Sequence, residues 1–86
     1  MFAAIGREVL HIDGHMILGK RWVVHGWDCT EQDAIWTATS ALEPFGVKVD
    51  LRAVPLTQEQ WATLEARESG TTYCSDLGLG DEETHS

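Results

Sequence analysis

Residues 21–28 (RWVVHGWD), 30–46 (TEQDAIWTATSALEPFG), 47–55 (VKVDLRAVP) and 57–69 (TQEQWATLEARES) read in order as strand, helix, strand and helix. That succession decides the fold class. Thr30 has the side chain and position of an N-cap, Glu31 and Asp33 complement the positive end of the helix that follows, and Pro44 with Gly46 ends it. Ala34, Ile35, Ala38, Ala41, Leu42 and Phe45 follow the three-four spacing of a buried stripe, with Trp36 off its centre. Val47, Val49 and Leu51 alternate with Lys48, Asp50 and Arg52, which predicts a strand with one wet face. Thr57 and Gln60 have the spacing of a capping box, so a second helix is expected over about Gln58–Ser69, stopping at Gly70, with Trp61 and Leu64 on a thin apolar side.

Working outward, Asp13-Gly14 suits a two-residue turn in which both central residues take positive φ, so Val9–Ile12 and His15–Leu18 are expected to pair as a hairpin. Leu10, Ile12, His15 and Ile17 would then share one face, and Val9, His11, Met16 and Leu18 the other, leaving both partly apolar. Gly19-Lys20 is expected to break the run before the strand at Arg21–Trp27. Toward the C-terminus, TTYCSDLGLGDEETHS holds four acidic residues and no Lys or Arg. Residues 1–75 therefore read as a single domain and 76–86 as an acidic C-terminal tail, although Tyr73, Leu77 and Leu79 could lay a short strand on a sheet edge. The expected architecture is α+β: a small, mainly antiparallel sheet, formed by the hairpin plus two further strands, with two helices mainly on one face.

Composition excludes several functions. A chain of 86 residues hides only about 60 to 65% of its unfolded surface on folding, too little for a deep enclosed active site. Six basic against fourteen acidic residues give a net charge of -8; direct binding to nucleic acid or to an anionic membrane is disfavoured. No apolar run is long enough to span a bilayer, and MFAAIGREV lacks the pattern of a secretory signal, so a cytoplasmic location is expected. Two cysteines, Cys29 and Cys74, are far from a disulfide framework and read as thiols. The absence of asparagine and scarcity of lysine suit a GC-rich bacterial or phage coding sequence.

His11 and His15 would project to opposite faces of the hairpin, and neither paired Cys nor helical His spacing occurs, so no metal or other cofactor is expected. His25, Asp28 and Cys29 sit before a helix N-terminus, where a thiol can be activated. The plainer reading makes Cys29 a near-cap residue and His25 a strand residue. Along Arg21–Trp27, alternation puts Trp22 and Val24 on one face and Val23, His25 and Trp27 on the other, so one ring should face away from the helices unless the sheet is covered twice. Exposed indoles beside carboxylates are the composition of a protein interface. The expected contact residues are Trp27, Glu31, Asp33, Trp36, Glu65 and Glu68, facing a larger protein or complex with a basic surface.

With WVVHGWDCTEQDAIWTATSAL followed by VKVDLRAVP in a lone acidic domain, the chain resembles the small phage-encoded anti-CRISPR proteins over residues 21–69. The resemblance lies in size, charge and layout. It implies an inhibitor that occupies a basic surface of a host nucleic-acid-handling defence complex, in the host cell cytoplasm. The function expected on these grounds is a non-enzymatic protein-binding module. Alternatives are a homodimeric structural or accessory protein joined through the hairpin and, third, a small cysteine-dependent enzyme.

Overall fold

The computed structural model describes residues 1–67 and 71–79. Most of its sheet is one long hairpin, in which β1 (Phe2–Ile12) and β2 (His15–Asp28) are joined by Asp13-Gly14. Those two residues have φ of 51° and 78°, the pair of positive values that the two-residue turn requires. Ile12 pairs with His15, Leu10 with Ile17, His11 with Met16 and Val9 with Leu18, so the two hairpin faces carry the residues expected from the sequence. β1 extends back through MFAAIGREV to Phe2 and is central in the strand order β2-β1-β3, with β3 at Arg52–Pro55. Its buried Ala3, Ala4, Ile5 and Gly6 form the short, unalternating run of a strand covered on both faces. The sheet is antiparallel throughout, and with two helices it makes an α+β fold.

Three strands replace the four that the sequence suggests. Gly19-Lys20 does not interrupt β2. The Glu8 side chain lies where a Cβ on Gly19 would be, and the Arg7 Nε donates to the Gly19 carbonyl at 2.8 Å. A glycine here accommodates a crossing side chain inside a continuous strand rather than ending it.

The strand expected over residues 47–55 forms only in its last four, Arg52–Pro55. Burial alternates along 47–51 as predicted, with Val47, Val49 and Leu51 half-buried between exposed Lys48 and Asp50, but the segment joins no ladder. Pairing begins at Arg52, opposite Ile5. Gly6 explains the displacement: a Cβ there would lie 2.6 Å from Val49 Cγ1 and 3.0 Å from the Asp50 carbonyl oxygen. The bare glycine lets this segment cross over the face of β1, and only beyond it does the chain drop into the plane of the sheet.

α1 (Glu31–Leu42) is capped by Thr30, whose hydroxyl accepts from the Asp33 N–H at 3.1 Å. It tightens into a 3₁₀ turn at Glu43–Phe45 and ends on Gly46 at φ 68°. The change of winding takes Phe45 off the buried stripe, leaving it exposed while Ala34, Ala38 and Leu42 are buried. α2 (Gln58–Ala66) begins with the full capping box, Gln60 N–H to Thr57 Oγ1 at 3.1 Å and Thr57 N–H to Gln60 Oε1 at 2.9 Å. It stops short of the expected Ser69, because Arg67 is already extended (φ -90°, ψ 114°).

The helices take opposite faces of the sheet instead of sharing one. Ala4 packs with Ala34 and Ala38 of α1, whereas Ala3 and Ile5, on the alternate face, pack with Leu64 of α2 and with Cys74 and Leu77 of a second 3₁₀ turn at Cys74–Leu77. The Gln60 Nε2 donates to the Leu77 carbonyl at 2.7 Å, tying α2 to that turn. The expected domain end at residue 75 therefore falls inside a packed element, with Leu77 in the core cluster and half-buried Leu79 packed against it; the remainder of the acidic tail, 80–86, lies outside the described residues. Just before this turn, Tyr73 bridges Val23 and Val24 donates to the Thr72 carbonyl at 2.9 Å, a minimal strand on the outer edge of β2.

Candidate protein-binding surface

Between Trp22 and Val47 the chain carries four carboxylates (Asp28, Glu31, Asp33 and Glu43) and no Lys or Arg. Three of them belong to α1 or its cap. Because the helix turns 100° per residue, its stripe of Ala34, Ala38 and Leu42 against the sheet leaves Trp36 at the centre of the opposite side. Gln32, Asp33, Ser40 and Glu43 surround the indole at helical spacing, and all are exposed. Trp36 itself is 69% exposed, the most of any large apolar side chain described. Two features of this face are not what helix stability alone would select. Burial of the indole is forgone, and Glu43 is the C-cap, where the negative end of the helix dipole repels a carboxylate.

The six residues expected to contact a partner do not form one surface. Glu31, Asp33 and Trp36 are all on α1, Asp33 one turn before the indole and Glu31 at the helix start, about 140° round from it. Trp27 instead packs against the core beneath α2, with Trp22, Val24 and Trp61. The cause is a bulge in β2: Ala4 pairs with Gly26 but Ile5 with Val24, so His25 is an extra residue. One inserted residue exchanges the faces of everything beyond it. It brings Trp27 to the side of Trp22, and covering of the sheet on both faces removes the need for an outward ring there. Glu65 is exposed on α2, across the sheet from α1. Glu68 lies outside the described residues. Glu43, which is not among the six expected contact residues, joins the α1 group; its spacing of seven from Trp36, two helical turns, was the available signal.

The bulge also settles the environment of His25. Its Nε2 donates to the Arg7 carbonyl at 2.9 Å, and burial pushes its pKa below 6.5, with the hydrogen bond acting the other way. The ring lines a groove of about 430 Å³ between the hairpin and the C-terminal end of α1, with Val9, His11, Met16, Leu42 and Phe45. It makes no bond to Cys29, whose N–H donates to Asp28 Oδ1 at 2.7 Å. The thiol–imidazole contact that would activate Cys29 is thus not formed with His25. Cys29 is exposed and Cys74 buried, and the two are not bridged. His11 and His15 belong to different cross-strand pairs and opposite faces. No group of three metal-ligating side chains occurs among the described residues, and no described helix is long and apolar enough to cross a membrane.

At the far end of the molecule, Leu10, Ile12 and Ile17 are 37, 48 and 47% exposed on one side of the hairpin tip. Apart from Met1, the exposed large apolar residues described thus fall into two groups, one on α1 and its end and one on the ribbon. Comparison with family models, curated proteins and solved structures gives no match.

Proposed function

We propose that this protein is a non-enzymatic binding module that occupies a basic surface of a larger protein, with the outer face of α1 as its contact. The observation that carries the reading is Trp36, 69% exposed at the middle of a helix face whose charges are all negative. Trp is a preferred anchor of protein interfaces, and a desolvated indole ringed by polar groups commonly accounts for 2 kcal/mol or more of binding, roughly a thirtyfold change in affinity. Asp33 and Glu43 beside the indole, with Glu31 at the start of the helix, would steer the module toward cationic patches and reject anionic ones. A nucleic-acid groove on a host defence complex, reached in the host cytoplasm, has that chemistry, since such grooves are lined with Lys and Arg. An inhibitor acting there would exclude the nucleic acid by occupancy and need no catalytic group.

Affinity capture from bacterial lysate, run in parallel with the wild-type chain, Trp36→Ser and the triple variant Glu31→Lys, Asp33→Lys, Glu43→Lys, tests the proposal. A protein with a basic surface should be retained by wild type, lost with both variants, and released from wild type by raised salt. Equal retention by all three chains would remove α1 as the contact.

A further inference from the structure

The hairpin tip is a strand edge left open. Beyond the Ile5–Arg52 pair no described strand lies alongside β1, and among the described residues nothing pairs with the outer backbone groups of Val9 and His11. Ile12–His15 and Leu10–Ile17 flank the two-residue turn as the hydrogen-bonded pairs, so the N–H and C=O groups of Val9 and His11 point outward. Open edges are normally blunted by bulges, prolines or inward charges. On β2 the extra residues at Gly19–Arg21 and His25 do this. β1 carries no inserted residue, because both register shifts place the additional residues on β2. The unblunted edge is also the most apolar part of the surface outside α1.

We infer that this edge of β1 is the interface of a symmetric dimer, in which the hairpins of two copies pair antiparallel about a two-fold axis beside Leu10. The charges select a second copy as the occupant. Arg7, Lys20 and Arg21 stand at the base of the ribbon with Glu8, and Asp13 stands at its tip, so the ribbon is positive at one end and negative at the other. The register that pairs Val9 with His11 of the second copy also sets Arg7 opposite Asp13 of the second copy, on both sides of the axis. Arg7 uses only its Nε on Gly19, leaving its terminal N–H groups for that carboxylate. Residues 7–21 carry +1 and the rest of the chain -9, together the net -8. The hairpin is therefore the place where two copies meet without like-charge repulsion. Antiparallel overlap puts the two acidic bodies about 25 Å apart along the strands, well beyond the ~8 Å screening length. The dimer would display two α1 faces, but the inference does not depend on what those faces bind.

Sedimentation equilibrium of the intact chain at about 1 to 100 μM should show a reversible dimer of the 9.6 kDa protomer. His11→Pro removes an outward N–H while sparing the bonds within the hairpin, and should give a monomer. Asp13→Asn keeps the turn and should weaken the dimer about threefold, as expected for loss of exposed ion pairs. Should His11→Pro fail to fold, cross-linking decides. In a Cys29→Ser background, Leu10→Cys brings two thiols together at the axis, within disulfide reach, and should yield a covalent dimer under mild oxidation. Ile17→Cys, one strand further out, should not. A wild-type chain that stays monomeric to 100 μM overturns the inference. So does a dimer that survives His11→Pro but is lost with Trp36→Ser, or one that cross-links through position 17 and not position 10.

Discussion

The two faces of the sheet are packed by opposite means. On the side of α2, large side chains fill the space: Ile5, Leu64, Leu77 and the rings of Trp22, Trp27 and Trp61. On the side of α1, backbones meet with little between them. Gly26 and Ala4 lie under Ala34 and Ala38, and a Cβ on Gly26 would come within 2.8 Å of the Ala38 backbone nitrogen. The first face is held by apolar area, the second by close approach. This difference explains why a helix that meets the sheet mainly through Ala34 and Ala38 can leave its one indole outside: there is no room for Trp36 beneath α1, and no loss of packing when it faces water.

The contrast can be broken from either side, and the effects should differ in kind. Leu64→Ala opens a cavity on the filled face and should cost about 3 kcal/mol in chemical denaturation. Gly26→Ala adds a single methyl on the close face, yet it meets backbone rather than a movable side-chain end. It should cost about 2 kcal/mol and displace α1, and near-wild-type stability would show that the helix has slack. Each loss read in the denaturation midpoint at unchanged slope would confirm that the native state alone is affected.

Smaller effects sharpen the comparison at the edges of these faces. His25 is held neutral by burial, with a folded-state pKa below 6.5. As pH falls from about 6.5 toward that lowered value, the unfolded chain takes up the proton first, so folding stability declines across this window and this contribution is constant above and below it. His25→Gln should flatten that slope in denaturation midpoints measured between pH 7 and 5. Smallest is Glu43→Lys, which replaces a repulsion with an attraction at the end of the α1 dipole and should raise stability by about 0.5 kcal/mol. If the same substitution weakens partner capture, Glu43 is held against the helix's own preference by what α1 contacts.

Elements whose causes are local were legible in the chain itself. The turn at Asp13-Gly14, the caps at Thr30 and Thr57, and the helices they start depend on one residue and its near neighbours. The candidate site was legible in half: Asp33 and Trp36 stay together, with Glu31 at the start of the same helix, whereas alternation put Trp27 on the wrong face because it could not register the extra residue at His25, and the face of α2 that carries Glu65 had no local signal. Glu43 was hidden by its position at a helix end. The strand at Val47–Leu51 shows the same limit from another side, since alternation correctly marks which side chains are covered but not whether the backbone lies in the sheet or over it.

Sequence by itself determined the α+β class, the hairpin with its two faces and the starts of both helices, because short-range backbone chemistry fixes each. Only the tertiary structure decided how those elements were combined. One extra residue at His25 moved Trp27 into the core, a missing side chain at Gly6 let the chain cross β1, and another at Gly26 drew α1 against the sheet. Register and close approach are relations between distant segments, and no window along the chain contains both partners.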